Sequence, residues 1–147
     1  MARGKRGAIP APQLPDPVNV KFSFKHLDLG NEKYSIKKCC VRFFTEMILS
    51  LNRYSSFTTE QFREQNNDDG RHCHYFPDTS EPNGFTTLDP ETLGIEEAWQ
   101  IRLCPDVHKP PESAWRVHGV LLGDVFYIVW LDYEHLLYDN KLAPGNE

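Results

Sequence analysis

At 147 residues, with 39% hydrophobic and 12% aromatic side chains, the chain is long enough for one domain whose core closes without disulfides or a structural metal. Its formal charge is −5, of which the first twenty residues contribute +2 (Arg3, Lys5 and Arg6 against Asp16), leaving −7 for the rest. That balance excludes a bulk basic field for nucleic acid, so any phosphate or RNA site has to be local.

Four cysteines, Cys39 and Cys40 adjacent, Cys73 and Cys104 isolated, do not make an export framework, and no apolar run resembles a signal peptide or membrane span. The expectation is a reduced, cytoplasmic protein with no membrane contact.

Residues 1–19, with four prolines and two glycines, read as a flexible basic arm. Val20–Lys25 then alternates, predicting a half-buried strand with Val20, Phe22 and Phe24 inward and Lys21, Ser23 and Lys25 outward. A turn follows around Leu29-Gly30-Asn31. Ser35 caps a helix expected to run to about Asn52, with Ile36, Cys39, Cys40, Phe43, Phe44, Met47, Ile48 and Leu51 as its apolar stripe. On that stripe the cysteines are small core residues.

Thr58 and Gln61 fit a capping box, flanked by Phe57 and Phe62, and open a short second helix that ends near Gln65. Arg71–Ala98 reads as one long loop, with room for a helical turn between Pro90 and Ala98. Trp99–Cys104 alternates again, placing Trp99, Ile101 and Leu103 on one side and Gln100 and Arg102 on the other, and stops at Pro105.

The most legible stretch is WRVHGVLLGDVFYIVWLDYEHLLY, residues 115–138. Gly123-Asp124 between two β-branched and aromatic runs predicts a hairpin of Trp115–Leu122 against Val125–Leu131. A two-residue turn fixes the facing pairs as 122 with 125, 120 with 127, 118 with 129 and 116 with 131. One face then holds Trp115, Val117, Leu121, Phe126, Ile128 and Trp130. The other holds Arg116, His118, Val120, Leu122, Val125, Tyr127, Val129 and Leu131.

The element order β-α-α-β-β-β implies an α+β domain over residues 20–139, with a mainly antiparallel four-stranded sheet and both N-terminal helices on one face. Residues 140–147 form a polar tail. The uncovered face then gathers Lys21, Ser23, Lys25, Gln100, Arg102, Arg116, His118 and Tyr127. Phosphate suits such a surface, because Arg and Lys hold a phosphodiester and His moves the proton that attack by a ribose 2′-hydroxyl requires. His135, just past the last strand, is a second titratable candidate.

This layout resembles the RelE/ParE superfamily of bacterial toxins, and within it the YoeB and YafQ type ribonucleases that cut messenger RNA at the ribosome. The resemblance rests on the element order, on Arg116 and His118 in the hairpin, and on a late histidine followed by an aromatic residue, His135 and Tyr138. It implies an endoribonuclease without cofactor or metal, acting on RNA and neutralised by an antitoxin partner. Arg102 and Arg116 would hold the scissile phosphate, His118 or His135 would act as general base or acid, and Lys21, Lys25, Tyr127 and Tyr138 would contact RNA.

Two rivals remain open. His72 and His74, two apart in an extended segment, with Cys104 and His108 as a second pair, offer zinc ligands without finger or ribbon spacing. Alternatively the chain is a non-enzymatic interaction module, an immunity or regulatory partner, that docks through Tyr127, Tyr133 and Tyr138.

Overall fold

A computed structural model describes residues 19–64, 70–88 and 95–137; residues 1–18 of the basic arm, the polar tail and Tyr138 lie outside them. The strands are β1 (Lys21–Ser23), β2 (Arg71–Tyr75), β3 (Glu97–Arg102), β4 (Arg116–Leu122) and β5 (Val125–Asp132), and the helices are α1 (Val41–Tyr54) and α2 (Thr59–Arg63). The α+β class is as expected, but the sheet has five strands in the order β1-β5-β4-β3-β2. It is also mixed, since β1 runs parallel to β5 while every other pairing is antiparallel.

The additional strand is β2, inside the segment expected to be a loop. Arg71–Tyr75 alternates only weakly in polarity, so nothing in its pattern separates it from a loop. Of the expected helical turn between Pro90 and Ala98, residues 90–94 lie outside the described set and Glu97–Ala98 belong to β3.

The first helix is also divided. Ser35 caps a short 3-10 turn, Ile36–Lys38, by accepting from the Lys37 N–H, and Cys39 and Cys40 are extended before α1 begins. Those two non-helical residues reset the phase of the stripe. Phe43, Met47 and Tyr54 are buried, whereas Cys40 is exposed and Ile48, expected inside, is 63% exposed. Val20, just before β1, and Phe22 within it face inward as expected, but Phe24 lies past the end of the strand and is exposed.

The α2 capping box forms in full, Thr58 accepting from the Gln61 N–H and Gln61 returning the bond to the Thr58 N–H. Both helices cover one sheet face. There Phe62 is fully buried among the rings of Phe22, Tyr54, Trp99 and Phe126, and Phe43 packs on Trp115. Trp99, Ile101 and Leu103 all point into this layer, as their alternation requires.

The hairpin turns at Gly123, whose φ of 63° is the left-handed conformation a primed turn needs. Its register begins as expected, with Leu122 facing Val125 and Val120 facing Tyr127. A bulge then intervenes: Gly119 faces Ile128 but His118 faces Trp130, so Val129 is the extra residue. The freed Val129 carbonyl accepts the Asp28 N–H at 3.0 Å.

The bulge corrects the expected faces. Leu131 joins the helix-side core, while Val129 and Trp130, adjacent in sequence, both enter a second core on the opposite face. That second core, with Tyr34 stacked on Trp130 at 4.6 Å and Phe85 edge-on at 4.7 Å, means the far face of the sheet is not open to water. Segments around Tyr34, Phe76–Leu88 and Leu137 cover it.

Candidate functional site

On this second face β2, β3 and β4 bring polar side chains into adjacent rows. Arg102 faces Arg116, Gln100 faces His118 on one side and His72 on the other, and His74 lies one pleat beyond His72. The bulge sets Asp132 opposite Arg116, so its carboxylate reaches back to His118. Their Oδ2 and Nε2 are 2.9 Å apart, and both residues are 0% exposed.

Asp132 has further partners. Its Oδ1 accepts the Leu136 N–H at 2.7 Å and its Oδ2 the Leu137 N–H at 2.9 Å. These bonds wrap the chain after β5 around the carboxylate and carry His135 at φ 60°, a left-handed conformation uncommon for a side-chain-bearing residue. Burial by itself raises the Asp132 carboxyl, but the bond and charge of His118 and the two N–H groups bring it below the ordinary carboxylate range. As an ionised acceptor, Asp132 fixes a proton of His118 on Nε2, while Nδ1 has no partner among the described residues.

The two arginines are anchored by their terminal nitrogens. Arg116 Nη1 donates to the Ser113 and Trp115 carbonyls at 2.7 and 3.1 Å, and Arg102 Nη2 donates to the Val107 carbonyl at 2.9 Å. Neither forms an ion pair among the described residues. Burial, and then the charge of Arg102 beside it, bring Arg116 down to about 10, which still leaves it charged at neutral pH. Like charges directly opposite in a sheet are destabilising, and the single Asp132 carboxylate opposite Arg116 offsets only part of this pair's charge.

Five nitrogens of this face are buried with no partner among the described residues: Arg102 Nε, Arg116 Nε, His118 Nδ1, His72 Nδ1 and His135 Nε2. Buried polar nitrogens are rarely left unpaired, and a cluster of them marks a place for a polar ligand. His135 belongs here too: burial first, then the charges of Arg116 and His118, lower its pKa to about 4. The four residues read as catalytic from sequence thus share the face away from the helices, Arg116 and His118 buried and Arg102 and His135 half-buried.

The expected RNA-contacting residues do not join them. Lys21 stands on β1, at the edge opposite β2, where it pairs with Asp124 at 2.7 Å. Lys25 is exposed beyond that strand, Tyr127 is half-buried with its ring 5.1 Å from His26, and Tyr138 lies outside the described residues. Tyr133 is not an exposed aromatic either, since it packs on Phe43 and Trp115.

Conversely, His72, His74, Gln100 and Asp132 belong to the site. The signal for the histidines is their two-residue spacing, which puts both on one side of a strand; for Asp132 no signal exists without the bulge. His72 and His74 do not meet Cys104 and His108, because the Cys104 thiol faces Glu46 on the helix side and His108 is exposed. Among the described residues no group of three or more His, Cys, Asp or Glu is arranged to hold a metal ion. No described helix is long and apolar enough to cross a membrane.

Acid should loosen this site. Burial, then the neighbouring charges of His72 and His118, lower His74 to about 3. For a histidine with a depressed folded pKa, the unfolded chain takes up protons first as pH falls through its ordinary value near 6.5. Stability from His74 and His135 is therefore complete above that value and declines towards pH 4. Asp132, depressed below the carboxylate range, adds a loss of the same sign at lower pH. Unfolding free energies from urea titrations at pH 7, 5.5 and 4.5 should fall in step, by about 2 kcal/mol for each imidazole; an unchanged free energy would contradict the burial of these imidazoles. Compared with known proteins, the chain matches no family model, no curated protein and no solved structure.

Proposed function

We propose that the protein is a metal-independent endoribonuclease of the RelE-like toxin kind, held in check by an antitoxin-like protein. The observation that carries this reading is the facing Arg102–Arg116 pair, two guanidiniums with unpartnered Nε–H groups and no ion pair among the described residues, set beside a His118–Asp132 dyad whose Nδ1 has no partner there. Two fixed cations supply the charge stabilisation that a phosphodiester needs, and a carboxylate-oriented imidazole supplies the base.

In the reaction, Arg102 and Arg116 hold the non-bridging oxygens of an RNA phosphodiester. His118 Nδ1 takes the proton of the neighbouring 2′-hydroxyl, the 2′-oxygen bonds to phosphorus, and the bond to the 5′-oxygen breaks. Asp132 stabilises the imidazolium that results. His135, neutral at pH 7 by its lowered pKa, is a hydrogen-bonding group rather than a cationic acid, so solvent water protonates the leaving 5′-oxygen. The products are a 2′,3′-cyclic phosphate and a 5′-hydroxyl end.

The exposed apolar positions of α1, Val41 at 84% and Ile48 at 63% with Leu49 beside it, favour a protein partner in addition to RNA. The same positions would serve a purely regulatory binding module.

Purified protein incubated with single-stranded RNA in excess chelator decides between the two. The nuclease reading expects cleavage undiminished by chelator, with cyclic-phosphate ends. Intact RNA across neutral pH, with or without ribosomes, would transfer the assignment to the binding module.

A further inference from the structure

His72, His74 and Gln100 form a closed triangle of polar atoms beside the arginine pair. His74 Nε2 lies 3.1 Å from Gln100 Oε1 and 3.0 Å from His72 Nε2, and Gln100 Nε2 lies 3.3 Å from His72 Nε2. An amide nitrogen only donates and an amide oxygen only accepts. His72 Nε2 therefore accepts from Gln100 and carries no proton, while His74 Nε2 carries one and directs it at both Gln100 Oε1 and His72 Nε2. With the Gln100 amide in this orientation, one protonation pattern satisfies all three contacts.

Both rings are neutral at pH 7, since burial, followed by nearby positive charge, lowers each from its ordinary value. The one proton of His72 is consequently on Nδ1, the minority position in free histidine. That Nδ1–H is buried and has no partner among the described residues. His72 also feels the charges of Arg116 and His118 as neighbours, so the orphaned donor belongs to the same site. Three donors without acceptors, Arg102 Nε–H, Arg116 Nε–H and His72 Nδ1–H, then share one sheet face with the unpartnered Nδ1 of His118.

We infer that His72 is a substrate-contacting residue whose Nδ1–H donates to a non-bridging phosphate oxygen, and that His74 and Gln100 are positioning residues that keep its proton there. The inference rests on the phosphodiester reading of the site and extends it, because the Nε–H groups of Arg102 and Arg116 and the Nδ1–H of His72 can only donate, which favours an anionic oxygen over a neutral ligand. Inorganic phosphate or sulfate should therefore occupy the site and compete with RNA.

Long-range proton–nitrogen correlation spectra of the nitrogen-15-labelled full chain at pH 7 read the tautomers directly. His72 should appear as the Nδ1–H form and His74 as the Nε2–H form, and inorganic phosphate should shift the His72 ring signals saturably. Reversing the Gln100 amide would exchange the two tautomers, so His72 seen as the Nε2–H form overturns the inference. His72→Ala should weaken phosphate binding about tenfold. His72→Asn, whose side-chain amide can present an N–H near the same point, should restore most of that loss, which a merely structural role would not.

Gln100→Leu, close in size, should lower phosphate affinity about threefold and return His72 to the Nε2–H form. If His72→Ala binds phosphate as tightly as the parent, the contact does not exist. The two readings fail separately. Phosphate binding through His72 without RNA cleavage removes the nuclease and leaves the anion subsite; cleavage with His72→Ala unchanged in KM and phosphate affinity removes only the role of His72.

Discussion

His118→Ala should reduce cleavage of single-stranded RNA by about 10²–10⁴-fold, the range a positioned general base contributes, while KM moves little because the arginine pair still holds the phosphate. Asp132→Asn should fall within the same range for a different reason. Three N–H groups, from His118, Leu136 and Leu137, converge on two carboxylate oxygens, and an amide offers only one oxygen to receive them. Its NH₂ group either confronts a backbone N–H or turns to His118, where it forces the imidazole proton onto Nδ1 and removes the base.

Circular dichroism separates the two variants from a general loss of fold, since the spectra of both proteins should match the parent. Cleavage by His118→Ala within twofold of the parent would exclude the dyad from catalysis.

Gly119→Ala should cost about 3 kcal/mol of folding free energy, a large part of what a domain of this size commonly has. A Cβ at this position would lie 2.1 Å from the Tyr127 carbonyl oxygen and 2.6 Å from the Phe126 ring. The oxygen belongs to the paired backbone of β5 and cannot swing aside, so the hairpin has to open where the bulge begins. Because the bulge sets the facing of His118 and Asp132, the lesion should reach the site as well. Denaturant unfolding should show a lower midpoint, and the imidazole resonance of His118 should lose the signature of a carboxylate partner. A variant with the parent's midpoint would mean that the strands tolerate a wider separation at the bulge.

Which parts of the molecule could be read from the chain follows from how local their causes are. The hairpin turn, the capping box at Thr58 and the alternation of Trp99 to Arg102 each depend on residues within a few positions, and each is present. The convergence of Arg102, Arg116 and His118 was accessible because two adjacent strands in register bring alternate residues together. Three features were not accessible, for a shared reason. The bulge at Val129, the pause at Cys39-Cys40 and the strand Arg71–Tyr75 are decided by what lies across from them, namely the Asp28 N–H, the packing that seats Phe43 and Met47, and the edge of β3.

The error in the expected open face has the same origin. Periodicity shows that one side of the sheet is mixed in polarity, but irregular segments such as Tyr34 and Phe76–Leu88 carry no period and so give no warning that they will cover it. Covering the face strengthens the site's electrostatics, because charges withdrawn from water act on one another and on a ligand far more strongly.

The parallel pairing of β1 with β5 joins residues about a hundred positions apart, Lys21 with Val125 and Ser23 with Tyr127. During synthesis the opening strand emerges early and then waits, its edge unsatisfied, until nearly the whole domain has left the ribosome. Such first-to-last closure slows folding and lengthens the interval in which Phe22 and its neighbours are exposed to aggregation or to a chaperone. The same geometry ties the first strand of this sheet to its last, so a product truncated before Val125 cannot complete it.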